Sequence, residues 1–103
     1  MQDSQAFDFV CETLERLTPL TRLQARGTVR LLLRQAGLEP HAVTPEQLAV
    51  VVERLLPPAL IKRHIADEIH IARRINELLV AQELPSAPRH EAPEDILRRF
   101  SRR

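Results

Sequence analysis

Tryptophan and tyrosine are absent from this 103-residue chain, and three phenylalanines are its whole aromatic content. Stacking platforms for single-stranded nucleic acid are built from such rings, so that mode of binding has little to work with. Glycine occurs only as Gly27 and Gly37, which excludes a glycine-rich phosphate loop. The single cysteine, Cys11, excludes an internal disulfide and reads as a small buried hydrophobe in a cytoplasmic protein. No apolar run approaches the length that crosses a bilayer, and MQDSQAFDF lacks the basic-then-apolar order of a signal peptide. Lysine is scarce too: Lys62 stands alone against 14 arginines. Codon usage explains that bias as readily as selection for forked donors, so the spacing of the arginines carries more than their number.

The spacing is regular. Arg22, Arg26, Arg30 and Arg34 recur every fourth residue, in a stretch without an acid from Arg16 to Leu38. On a helix such residues stack about 6 Å apart along one face, forming a cationic stripe suited to carboxylates or phosphates. The preceding 15 residues carry Asp3, Asp8, Glu12 and Glu15 and no base. If the first helix packs antiparallel to the second, Glu12 and Glu15 are placed to meet the first stripe arginines as a solvated ion-pair face.

The 44% hydrophobic and 28% charged content describes a folded helical domain. Phe7, Val10, Leu14 and Leu17 mark a first helix over about 4–17, capped by Asp3 or Ser4. Thr18-Pro19 reads as the start of a second helix that ends near Ala36, with Gly37 past its end. Gly27 inside it costs roughly 1 kcal/mol unless close helix approach compensates. Leu20, Leu23, Gly27 and Leu31 share one face while Ala25, Val29, Leu32 and Ala36 lie nearly opposite, so this helix reads as buried on two sides. A break at Gly27, with Thr28 capping a new helix, is the alternative and would make the segment a helix-turn-helix candidate. Thr44-Pro45-Glu46-Gln47 opens a third helix whose apolar face is Leu48, Val51, Val52, Leu55 and Leu56. Pro57-Pro58 should end it or bend it sharply.

A fourth helix is then expected from about Pro58 to Leu84, roughly 26 residues and near 40 Å long. Its apolar face is Ile61, Ile65, Ile69, Ala72, Ile75 and Leu79, with His64 and Glu68 intruding one turn apart. Glu68 is expected to meet an arginine or to be solvated where the helix leaves the core. Two such residues do not make a metal site, and no Cys or His cluster supplies further ligands, so no metal, cofactor or catalytic residue is assigned. Pro85, Pro88 and Pro93 mark a stiff linker, and EDILRRFSRR resumes helical spacing at Ile96, Leu97 and Phe100 beside Arg98 and Arg99.

The expected fold is all-α: a compact four-helix bundle with a long last helix, a proline-rich linker and a short C-terminal amphipathic helix. Its divisions are a helical domain over 1–84, a linker over 85–93 and a basic tail over 94–103. The expected function is a non-enzymatic, self-associating interaction module of adaptor or regulatory type. Gly27, His64 and Glu68 are its candidate interface, the stripe its anion or partner site, and the tail its docking segment for a second protein. The alternative is a small DNA- or RNA-binding regulator that contacts phosphates through the stripe.

Overall fold

The computed structural model describes residues 3–82 and residue 84, and the expected linker and tail lie outside these. Four helices surround one core: α1 (Gln5–Leu17), α2 (Arg22–Ala36), α3 (Pro45–Lys62) and α4 (Glu68–Ala81). The Cα radius of gyration of 12.6 Å is that of a compact chain of this length. α3 and α4 form the most closely packed pair, and α1 lies against both α2 and α4.

Capping chemistry fixes most helix ends. Ser4 Oγ accepts from the Phe7 amide at 3.1 Å and starts α1. α2 begins three residues later than Thr18-Pro19 suggests. Thr21 is its cap, exchanging hydrogen bonds with Gln24 in a reciprocal box at 3.2 and 2.9 Å. Thr18 instead closes α1, donating to the Leu14 carbonyl at 2.7 Å and accepting from the Leu20 amide at 3.3 Å. At the far end Gly37 takes φ 74°, and the Leu38 and Gly37 amides donate to the Leu33 and Arg34 carbonyls, a Schellman closure. α3 opens with a second reciprocal box between Thr44 and Gln47, both buried.

Two expected boundaries move. α3 does not stop at Pro57-Pro58 but continues through both to Lys62. Each proline deprives a carbonyl four residues back of its amide partner, and those carbonyls belong to Glu53 and Arg54, exposed residues within reach of water. On the opposite side Leu56, Ala59 and Leu60 are buried, and their burial offsets the lost bonds. The chain then reverses over 63–67, where His64 and Asp67 take φ of 59° and 62°. Amides of His64 and Ile65 donate to the Ile61 and Leu60 carbonyls at 3.0 Å, so His64 occupies the position that glycine holds after α2. The single long helix expected over 58–84 is therefore the last turn of α3, a tight reversal and a 14-residue α4. Its apolar face divides likewise: Ala72, Ile75 and Leu79 are buried, whereas Ile61 and Ile69 are exposed.

α2 runs unbroken through Gly27. Thr28 donates back to the Gln24 carbonyl at 2.7 Å instead of capping a new helix, so the helix-turn-helix alternative is not formed. Ala25, Val29, Leu32 and Ala36 are in the core, but the opposite face is not: Leu23 is 80% and Leu31 44% exposed. A Cβ on Gly27 would meet nothing within 4 Å, so among the described residues no close helix approach accounts for this glycine.

The chain thus has a flexible residue in mid-helix and a side chain in a left-handed turn. Gly27→Ala should stabilise the protein by about 1 kcal/mol, and His64→Gly by about 0.5–1 kcal/mol through relief of the left-handed penalty. Urea unfolding followed by far-ultraviolet circular dichroism reads both. A loss of stability in either variant would contradict the assigned backbone.

Candidate functional site

The middle of the arginine stripe is tied to α1 and the residues before it. Arg26 Nη2 donates to Asp3 Oδ2 at 2.6 Å and to Asp8 Oδ1 at 3.0 Å, and Arg30 Nη2 reaches the same Asp3 oxygen at 3.1 Å. Both guanidinium groups lie over the buried Phe7 ring, 5.2 and 5.4 Å from its centroid. Burial opposes the Arg26 charge, and the hydrogen bonds it donates to the carboxylates of Asp8 and Asp3 outweigh that, so the guanidinium pKa is raised. The Ser4 amide anchors the same segment by donating to the Pro40 carbonyl at 2.9 Å, which holds Asp3 in place. Asp3 and Asp8 therefore take the role expected of Glu12 and Glu15, which stay exposed on α1.

Arg22 and Arg34 stand at the ends of the stripe, exposed, and their side chains form no ion pair with any described residue. Between and beside them lies the open face of α2: Leu23, Gly27 and Leu31, with Arg30 and Arg34 along one edge and no acid anywhere on the helix.

The second surface is a groove of about 1020 Å³ between α3 and α4. Pro57 and Pro58 form one wall, and Ile69, Ala72, Asn76 and Val80 the other, with Glu53, Arg54, Arg73 and Glu77 also lining it. Ile69 is 58% and Val80 71% exposed, large values for apolar side chains three helical turns apart. Asn76 Nδ2 donates to the Ala49 carbonyl at 3.0 Å, joining α4 to α3, while Oδ1 is buried without a partner among the described residues. An exposed ion pair, Arg74 to Glu77 at 3.4 Å, lies at the rim.

The three expected interface residues are not brought together. Gly27 is on α2; His64 is exposed in the reversal, and Glu68 is half-buried in the first turn of α4, where its charge suits the helix dipole. His64 and Glu68 thus do not share a helix face. His64 lines a smaller cleft with His70 and Asp67. Among the described residues no group of three or more His, Cys, Asp or Glu side chains is placed to hold a metal ion. No described helix is long and apolar enough to cross a membrane. The docking residues Ile96, Leu97, Arg98, Arg99 and Phe100 lie outside the described residues.

Sequence reasoning missed Asp3, Asp8 and Phe7 as partners of the stripe, and the Arg73, Asn76, Glu77 and Val80 surface. Phe7 carried a core signal and Asp3 a cap signal, and neither pointed 20 residues ahead. Val80 lies outside the apolar face read for the last helix.

Comparison of the chain with protein-family models, with curated proteins and with solved structures gives no match.

Cys11 is buried inside α1, and desolvation lifts its thiol to about 12 from an ordinary 9.0. The folded thiol keeps its proton where the unfolded one loses it, so this contribution is complete below pH 9 and is lost as pH rises from 9 toward 12. The slope should approach about 1.4 kcal/mol per pH unit. With no tyrosine and one lysine, few other groups titrate there. Urea midpoints measured from pH 8 to 11 should fall in the wild type and stay flatter in Cys11→Ala; parallel curves would contradict the assignment.

Proposed function

We propose that this protein is a non-enzymatic helical interaction module that self-associates and engages a second protein through its C-terminal segment, residues 94–103. The observation that carries this reading is the pair of apolar surfaces left open on a small, otherwise well-filled bundle. Leu23 and Leu31 on α2, and Ile69 and Val80 beside the α3–α4 groove, are large side chains that the core does not use. Exposed large apolar side chains beside a groove or along one helix face favour protein contact. Ile96, Leu97 and Phe100, with Arg98 and Arg99 beside them, supply a further amphipathic contact of the sort that docks in a partner's groove. The lone buried Cys11 fits a cytoplasmic setting.

The second reading is a nucleic-acid-binding regulator, and Arg22 and Arg34, exposed and without an ion pair among the described residues, favour it. Against it, Arg26 and Arg30 are committed to Asp3 and Asp8, which lowers the charge that the stripe offers to phosphates.

Sizing at low salt with light scattering and full-spectrum detection distinguishes the two, because a chain without Trp or Tyr barely absorbs at 280 nm. The module reading expects a mass near twice 11.8 kDa or higher, unchanged in Arg22→Glu/Arg34→Glu. A monomer carrying a 260 nm signal that salt removes, and that the same double variant loses, would favour the regulator.

A further inference from the structure

Resting on the self-association proposed above, we infer that the occupant of the α3–α4 groove is a second copy of this chain, placed so that the two α4 helices cross the groove antiparallel. Of the two open surfaces, only this one has the charge pattern that a copy of itself can satisfy. The α2 face is flanked by arginines with no acid on the helix, so bringing two such faces together sets like charge against like. The groove carries Glu53 and Glu77 against Arg54 and Arg73, two residues of each sign. A two-fold contact presents the same patch from both sides and requires that kind of self-complementarity.

The spacing along α4 sets the register. Ile69, Arg73, Asn76 and Val80 follow one another by four, three and four residues and so form one seam. With a two-fold axis midway between Arg74 and Ile75, Ile69 falls opposite the partner's Val80, and Val80 opposite the partner's Ile69. Arg73 then lies opposite the partner's Asn76 and within about 1.5 Å, one residue rise, of the level of the partner's Glu77. Each end of the seam thereby closes two exposed apolar side chains on each other. The middle makes two symmetric Arg73–Glu77 contacts.

Asn76 adds an independent reason for this arrangement. The residue lines the groove, and its Oδ1 is a buried acceptor without a partner among the described residues. An unmatched acceptor there costs free energy in the isolated chain. The partner's Arg73, at the same level in the two-fold arrangement, brings guanidinium donors to this side chain. A polar residue at the centre of the seam also fixes register, since sliding the pairing by one turn in one direction would leave it facing Ile69.

Charge swapping tests this geometry in a way that a merely sticky surface would not pass. Arg73→Glu sets two pairs of carboxylates together in a homodimer, and Glu77→Arg sets two pairs of guanidinium groups together. An equimolar mixture restores both contacts, one with the native polarity and one reversed. Sedimentation equilibrium of the full chain should show a wild-type dimer, about tenfold weaker association for each variant alone, and recovery toward the wild type on mixing. Circular dichroism checks that both exposed-site variants remain folded. A wild-type dimer that neither variant weakens, or weakening that mixing does not relieve, would overturn this pairing and leave the module reading in place. A wild type that stays monomeric at about 100 µM would overturn both, and would leave the groove to the chain's own residues 94–103 or to another protein.

Discussion

Arg26, gripped by Asp3 and Asp8 above the ring of Phe7, is the contact on which the rest of this surface depends. It joins the segment before α1, α1 itself and the middle of α2. Phe7 is fully buried beneath it, so charge-assisted hydrogen bonds and apolar packing act on the same few residues. The Ser4–Pro40 hydrogen bond completes the attachment by tying this segment to the loop after α2. The most regular cationic feature of the chain is thereby divided into a structural middle and ends that form no ion pair with a described residue.

That division leaves the two open faces with different electrostatic character. On α2, Leu23, Gly27 and Leu31 border arginines only, which suits a partner with carboxylates and disfavours a second copy. Between α3 and α4 both signs are present around an apolar seam, which suits a second copy. The proposed self-association and partner capture would then fall on separate helices.

Much of the helical order was legible in the residues. Thr44-Pro45 with Gln47, and Gly37 after Ala36, are chemical signals that act within a few residues of themselves, and the structure places helix ends at both. The start of α2 was misplaced because Thr18-Pro19 and Thr21 with Gln24 offer competing caps, and only the second completes a reciprocal box. The reversal after α3 was hidden by its composition. RHIAD holds neither glycine nor proline, so the left-handed residues His64 and Asp67 gave no warning, while Pro57-Pro58 gave a strong one that burial of Leu56, Ala59 and Leu60 overrides. From that one error followed the merged last helix and the pairing of His64 with Glu68. For the stripe, spacing showed that four arginines share a face. Which acids meet them depends on the packing angle of α1 on α2 and on where the segment before α1 is anchored, and neither is encoded in periodicity.

The most direct test of this account is a double-mutant cycle on urea unfolding, combining Arg26→Ala with Asp3→Ala/Asp8→Ala and using Arg22→Ala and Arg34→Ala as references. A structural middle to the stripe predicts a coupling of about 1 kcal/mol or more between Arg26 and the two aspartates. Arg22 and Arg34 should show next to none with the same pair. Equal, near-zero coupling for all three arginines would mean that the stripe is uniformly solvated, and the division of surfaces drawn from it would fail.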